Sequence, residues 1–124
     1  MSLVLIIEDN EKNLKLVRDV LQVKGYETLE ARSAEEGLKI AHAQTPQLIL
    51  MDIQLPGMNG IEALKALRAE PGTAGIPVVA ITASVMQSDR QEIINAGFDG
   101  FIEKPITVRT FMDAVEAALK AKNP

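Results

Sequence analysis

Apolar positions along the chain fall into short unbroken runs separated by longer stretches of helical period. Leu3-Val4-Leu5-Ile6-Ile7, Leu48-Ile49-Leu50-Met51 and Val78-Val79-Ala80-Ile81 are apolar without alternation, the pattern of strands covered on both faces. Tyr26-Glu27-Thr28-Leu29-Glu30 and Gly100-Phe101-Ile102 are more polar or shorter, which suits the edges of a sheet. Between these runs, helices are expected near Asn13 to Lys24, Ala34 to Ala43, Gly60 to Ala69, Asp89 to Ala96 and Thr107 to Lys120. Strands alternating with helices in this way predict an α/β fold, a doubly wound, flavodoxin-like parallel sheet with helices on both faces. The punctuation agrees. Gly25 and Gly97 follow helical runs where a left-handed residue commonly ends a helix, Ser33 stands at capping-box spacing from Glu36, and Thr107 opens the last helix.

The central runs end in chemistry. The first stops at Glu8-Asp9, the third at Asp52 and the fourth at Thr82, while Lys104-Pro105 follows the fifth. In a doubly wound sheet the carboxyl ends of the strands line the crevice where ligands bind. If the first and third strands are neighbours, three carboxylates converge there, an arrangement that needs a cation and suits Mg²⁺, with its preference for one or two carboxylates, a carbonyl and water. A carboxylate nucleophile, a divalent ion, a lysine and a hydroxyl together describe phosphoryl chemistry. Both the G-x-x-x-x-G-K-[ST] and G-x-G-x-x-G motifs are absent, so a nucleotide is not the expected donor.

Composition narrows the class. The chain has 124 residues, about one domain, and no segment is left over for a second, so residues 1–124 read as one domain with no output domain. A net charge of -4 argues against a nucleic-acid backbone as partner. Cysteine is absent and no apolar run approaches the ~20 residues of a membrane span, which makes a cytoplasmic protein the expectation.

The motifs Glu8-Asp9, Asp52 with Pro56 and Gly60 behind it, Thr82-Ala83 and Lys104-Pro105, in order at strand ends, resemble the receiver domain of two-component response regulators over the whole chain. The wider wording, Glu8-Asp9-Asn10, Gly25-Tyr26-Glu27-Thr28, Met51-Asp52-Ile53-Gln54-Leu55-Pro56 and Lys104-Pro105-Ile106, is similar to stand-alone DivK-type cell-cycle receivers; receivers of hybrid histidine kinases share much of it. The resemblance implies a CheY-like sheet of five strands in the order 2-1-3-4-5, with five helices. It implies Asp52 as phosphoacceptor from a phosphohistidine on a histidine kinase or a histidine phosphotransfer protein. Asp9, Asp52 and the Gln54 carbonyl would bind Mg²⁺, with Glu8, a Glu where Asp is more usual, acting through water. Lys104 would pair with the acceptor and then the phosphoryl oxygens, ahead of a cis bond to Pro105. Thr82 and Phe101 would form the switch, Phe101 without the hydroxyl of the more familiar Tyr. The only enzymatic acts implied are self-phosphorylation and autodephosphorylation, with Gln54 and Ser84 tuning the lifetime. Output would pass by contact through the fourth helix, fifth strand and fifth helix, around Val85-Met86, Phe101 and Ile106.

Each residue has a plainer reading when taken alone. Asp9 or Asn10 also fits a helix cap, Thr82 a β-branched strand residue, Lys104 a solvated charge and Phe101 plain core; His42 reads as surface and the methionines as gap-fillers. The first helix carries Leu14, Leu16, Val17, Val20, Leu21 and Val23, wider than the ~100° stripe that packing on a sheet requires. Leu14, Val17 and Leu21 fit the core, which leaves Leu16, Val20 and Val23 beside the acidic pocket. Asn13, Leu16, Val20 and Ile106 are accordingly expected to dock the phosphodonor; the alternative is one broad buried face. Two other classes fit less well. A Mg²⁺-dependent aspartyl-nucleophile phosphatase of the haloacid-dehalogenase type needs a second acid where Gln54 stands, and a flavin-binding module lacks its phosphate loop and has Tyr26 alone, with no Trp.

Overall fold

The computed structural model describes residues 3–53, 55, 57–83 and 87–122, the side chains of 87–90 and 121–122 excepted. Its elements run β1 (Leu3–Ile7), α1 (Glu11–Val23), β2 (Glu27–Ala31), α2 (Ala34–Gln44), β3 (Leu48–Asp52), α3 (Gly60–Ala69), β4 (Val78–Thr82), α4 (Gln87–Ala96), β5 (Gly100–Glu103) and α5 (Val108–Lys122). The strands form one parallel sheet in the order β2-β1-β3-β4-β5. The unbroken apolar runs are its centre, and the two more polar segments are its edges.

Alternate residues of each strand face opposite sides, and this divides the core in two. Val4, Ile6, Leu48, Leu50, Val79 and Ile81 pack beneath α1 and α5, against Leu14, Val17, Leu21, Phe111 and Val115. Leu5, Ile7, Ile49, Met51 and Val78 pack on the other side against Ala34, Ala41, Ala63, Leu64 and Leu67 of α2 and α3. Among the described residues no helix is long and apolar enough to cross a membrane.

Caps explain where the helices begin and end. Asn10 accepts a hydrogen bond from the Asn13 N–H at 3.1 Å, so α1 starts at Glu11, two residues before the expected Asn13. Ser33 caps α2 through the Glu36 N–H at 3.1 Å. Asn59 and Glu62 form a reciprocal capping box on α3, a pairing that the apolar pattern does not reveal. Gly25 and Gly97 have φ of 92° and 103°, the left-handed conformation that favours glycine after a helix.

The foot of the sheet, at the start of β4 and β5, is held by a polar clamp. Arg68 Nη1 donates to the carbonyls of Ala74 at 3.0 Å and Ile76 at 2.6 Å, and Nη2 donates to Asp99 Oδ2 at 3.0 Å. The same Asp99 oxygen accepts the Val78 N–H at 2.8 Å. Arg68→Ala leaves two carbonyls and a carboxylate short of a donor, so we expect a loss of about 2–3 kcal/mol in urea unfolding. Arg68→Lys should recover less than half of it, because an ammonium lacks the planar fork; an unchanged midpoint in the alanine variant would show that the clamp contributes nothing.

Candidate phosphoryl-acceptor site

Parallel strands bring their carboxyl ends to one edge, and five of the residues singled out in the sequence are found there. Glu8 follows β1 and is fully buried; its N–H donates to the Ala31 carbonyl at 3.0 Å. Asp9 is exposed beside it. Asp52 ends β3 at 2% exposure, and Thr82 ends β4, also buried. Lys104, just beyond β5, reaches back so that Nζ donates to Asp52 Oδ2 at 3.0 Å and lies 3.5 Å from Glu8 Oε1. Its own N–H is tied to the Thr82 carbonyl at 2.8 Å, and the Lys104–Pro105 bond is cis.

The site is crowded with acid. Glu8, Asp9 and Asp52 each offer a carboxylate oxygen within 4.8 Å of the others. Burial, then the hydrogen bond and charge of Asp52, push the Glu8 carboxyl up to about 8, against smaller lowering by the Asn10 N–H and by Lys104. Burial also pulls the Lys104 ammonium down, but its hydrogen bond to Asp52 and the charges of Asp52 and Glu8 leave it above its ordinary value. Burial and the neighbouring Asp52 thus both oppose ionisation of Glu8, while Lys104 balances Asp52. Among the described residues Glu8 Oε1 has no hydrogen-bond partner although it is buried. Such an atom, ringed by carboxylates, fits a site whose water and hard cation complete the set.

Two residues quoted in the motifs contribute in ways the sequence did not assign them. Asn10 caps α1, and its own N–H donates to Glu8 Oε2 at 3.3 Å, so one residue starts the helix and aims the carboxylate; the favoured cap type was the available signal. Gly60 opens α3 against the backbone that follows the acceptor. A Cβ there would lie 2.8 Å from Ile53 Cα and 3.2 Å from the Asp52 carbonyl oxygen, so any side chain displaces the strand end that carries Asp52.

The remaining expectations fall in different places. Gln54, Pro56, Ser84, Val85 and Met86 lie outside the described residues. Phe101 is half-buried and borders a cavity of about 390 Å³ shared with Lys104, Pro105, Thr107 and Thr110. Asn13 and Leu16 are half-buried, while Val20 and Ile106 pack partly against the core of the α1 side. Val23 does not sit beside the acidic pocket. It closes α1, some 18 Å of helical rise from its start, and is 84% exposed. His42 is exposed on α2.

A family model described as the response regulator receiver domain matches residues 4–116. The chain belongs to that family. This receiver is 44% identical over 116 residues to the polar-differentiation response regulator DivK of Brucella ovis, covering 94% of each chain. Its fold is that of the chemotaxis response regulator CheY4 of Vibrio cholerae, with a TM-score of 0.90 at 27% identity over 95% of this chain and 98% of that one. It is also that of the receiver domain of a sensor histidine kinase from Pseudomonas aeruginosa PAO1, with a TM-score of 0.88 at 26% identity over 96% and 98%. That crystal structure has a magnesium ion coordinated in the active site cleft. Phosphoryl acceptance within two-component signalling, with histidine kinases or phosphotransfer proteins as donors, is typical of the family.

Proposed function

We propose that this receiver accepts a phosphoryl group on Asp52 from a phosphohistidine and passes the signal on by protein contact, as a DivK-type single-domain response regulator. The observation that carries the reading is the setting of Asp52: buried to 2%, held at 3.0 Å by Lys104 and within a carboxylate cluster. An Asp52 carboxylate oxygen forms the new bond to phosphorus as the phosphorus–nitrogen bond breaks, and its electron pair stays on the imidazole. Lys104 fixes the carboxylate beforehand and is placed to follow the charge onto the phosphoryl oxygens. Asp9 and Asp52, with Glu8 through water and the carbonyl of Gln54, which lies outside the described residues, are the set that would hold Mg²⁺. When bound, Mg²⁺ supplies neutralisation of the charge on the transferring group.

The added charge of about −1.5 to −2 then gives the Thr82 hydroxyl an acceptor, and Phe101 repacks toward the space Thr82 leaves. Output through α4, β5 and α5, around Phe101 and Ile106, follows from that movement; Val85 and Met86 of the same face lie outside the described residues. The likeness to DivK over 94% of both chains supports contact signalling of the DivK type, against 26% identity to the kinase-borne receiver.

Intact mass after incubation with a small phosphodonor tests the acceptor chemistry. A gain of one phosphoryl group that requires Mg²⁺ and maps to the peptide bearing Asp52 is expected; a gain that survives chelation, or maps elsewhere, overturns it. Docking of the donor on Asn13, Leu16, Val20 and Ile106 has its own test. Leu16→Glu should slow transfer from the protein donor at least about tenfold, the effect of burying an unpaired charge in an apolar contact, and leave the small-donor rate unchanged. Equal slowing with both donors would mean damage to the site instead.

A further inference from the structure

Three residues, Glu8 to Asn10, connect β1 to α1 and carry Asp9, the exposed carboxylate of the acidic cluster. No burial fixes Asp9, so its place depends on how the turn around it is held. On the sheet side the Glu8 N–H donates to the carbonyl of Ala31, the last residue of β2, at 3.0 Å. On the helix side Glu11, the first residue of α1, forms an ion pair with Arg32, the residue after Ala31. The turn is thus bracketed, with both of its ends tied to successive residues of one neighbouring segment.

Arg32 is a firm post for such a tie. It stands between Ala31, which is fully buried, and Ser33, whose side chain caps α2. Glu11 also had a nearer choice. It borders a cavity of about 250 Å³ lined by Lys12, Lys15, Arg18 and Arg32. Lys15 lies four residues further along α1, the favoured spacing and order for a helical pair, yet the carboxylate is found on the guanidinium from the other element. Helix initiation does not require Glu11, because Asn10 already caps α1 through the Asn13 N–H at 3.1 Å. What the pair does is join the start of α1 to the end of β2, across the turn that bears Asp9.

The geometry points to Glu11 and Arg32 as positioning residues for Mg²⁺, which hold Asp9 in its ligating place without touching the ion. This role rests on the Mg²⁺ set proposed above. A ligand held beforehand loses less freedom when the cation binds, and groups that orient metal ligands from behind set part of the affinity. Both side chains are more than half exposed, 55% for Arg32 and 73% for Glu11, so the effect is that of a surface ion pair, about two- to fivefold in Mg²⁺ affinity.

A Mg²⁺ titration of the metal-free full chain, followed by amide chemical shifts at constant ionic strength, separates anchoring from plain charge. Arg32→Gln removes a positive charge close to the site, so charge alone predicts tighter binding; loss of the anchor predicts binding weaker by about two- to fivefold. Arg32→Lys, which keeps a cation there, should bind Mg²⁺ more tightly than Arg32→Gln, again the reverse of what charge alone predicts. Glu11→Gln should weaken binding, and the double variant Glu11→Gln with Arg32→Gln should be no weaker than Glu11→Gln, because one pair cannot be broken twice. Asp9→Asn should lose at least about tenfold, as expected of a direct ligand. Binding by Arg32→Gln as tight as the wild type or tighter overturns the positioning role and leaves the Mg²⁺ set standing. A wild type that binds no Mg²⁺, or an Asp9→Asn variant that binds it as well as the wild type, overturns both.

Discussion

Asp52→Asn is expected to lower phosphoryl acceptance by at least about 10³-fold, the scale for removing a covalent nucleophile. The amide has neither the charge nor the nucleophilic lone pair, and neither acidic neighbour is suited to take over. Glu8 is buried beneath the site, where burial and Asp52 push its carboxyl up to about 8; Asp9 stands at the exposed rim. The fold should survive, because the amide is nearly isosteric and relieves the crowding of three carboxylate oxygens within 4.8 Å. Intact mass under identical donor and Mg²⁺ concentrations, with circular dichroism as control, decides the point. A full phosphoryl gain in a folded variant would move the acceptor to another side chain.

The second large effect is a pH dependence of stability that comes from Glu8. Its carboxyl titrates at about 8 in the folded protein against 4.5 ordinarily, so between those values the native state holds a proton that the unfolded chain has released. Stability from this group is therefore complete below about pH 4.5 and is lost as pH rises through about 8. The ceiling of that loss is about 5 kcal/mol, shared with Asp52, whose charge is coupled to the proton. Metal-free wild type should accordingly unfold at lower urea at pH 8.5 than at pH 5.5. Glu8→Gln, a neutral isostere that keeps the donor to Asp52, should flatten the profile. Mg²⁺ should reverse the trend, since a cation favours the ionised carboxyl, and its binding near neutral pH should release protons, detectable by calorimetry in buffers of different ionisation enthalpy. A flat profile in the metal-free wild type would mean that Glu8 is ionised in the fold.

The sheet and its acidic edge were readable because both depend on one-dimensional signals. Unbroken apolar runs marked the buried strands, and the residue that ended each run was delivered to the shared edge by parallel topology alone. Helix starts were read unevenly: those of α2 and α3, at Ala34 and Gly60, fall where the sequence placed them, whereas the Asn10 cap moves α1 two residues toward the N-terminus. The clamp of Arg68 and Asp99 was invisible for a different reason. It joins residues 31 apart in the chain to two loop carbonyls, and no local pattern marks such a meeting. Val23 was misplaced because helical angle was read without helical rise: it shares a face with Leu16 but lies about 10 Å further along α1. Gly60 was legible as a motif residue, yet the need for glycine, a backbone-to-backbone approach behind Asp52, appears only once α3 is packed.

The clamp at the foot of the sheet has a mechanical meaning for the residues at the top. The Val78 N–H and the Arg68 fork both end on Asp99, the residue just before β5, so the strands carrying Thr82 and leading to Lys104 are riveted together at their starts. Their far ends, one bearing the hydroxyl and the other the ammonium, are joined by the bond from the Lys104 N–H to the Thr82 carbonyl and the strand ladder below it. A pull on either tip is thus resisted by a fixed base and bends the pair like a tuning fork, keeping displacement at the acceptor end and leaving the opposite edge still.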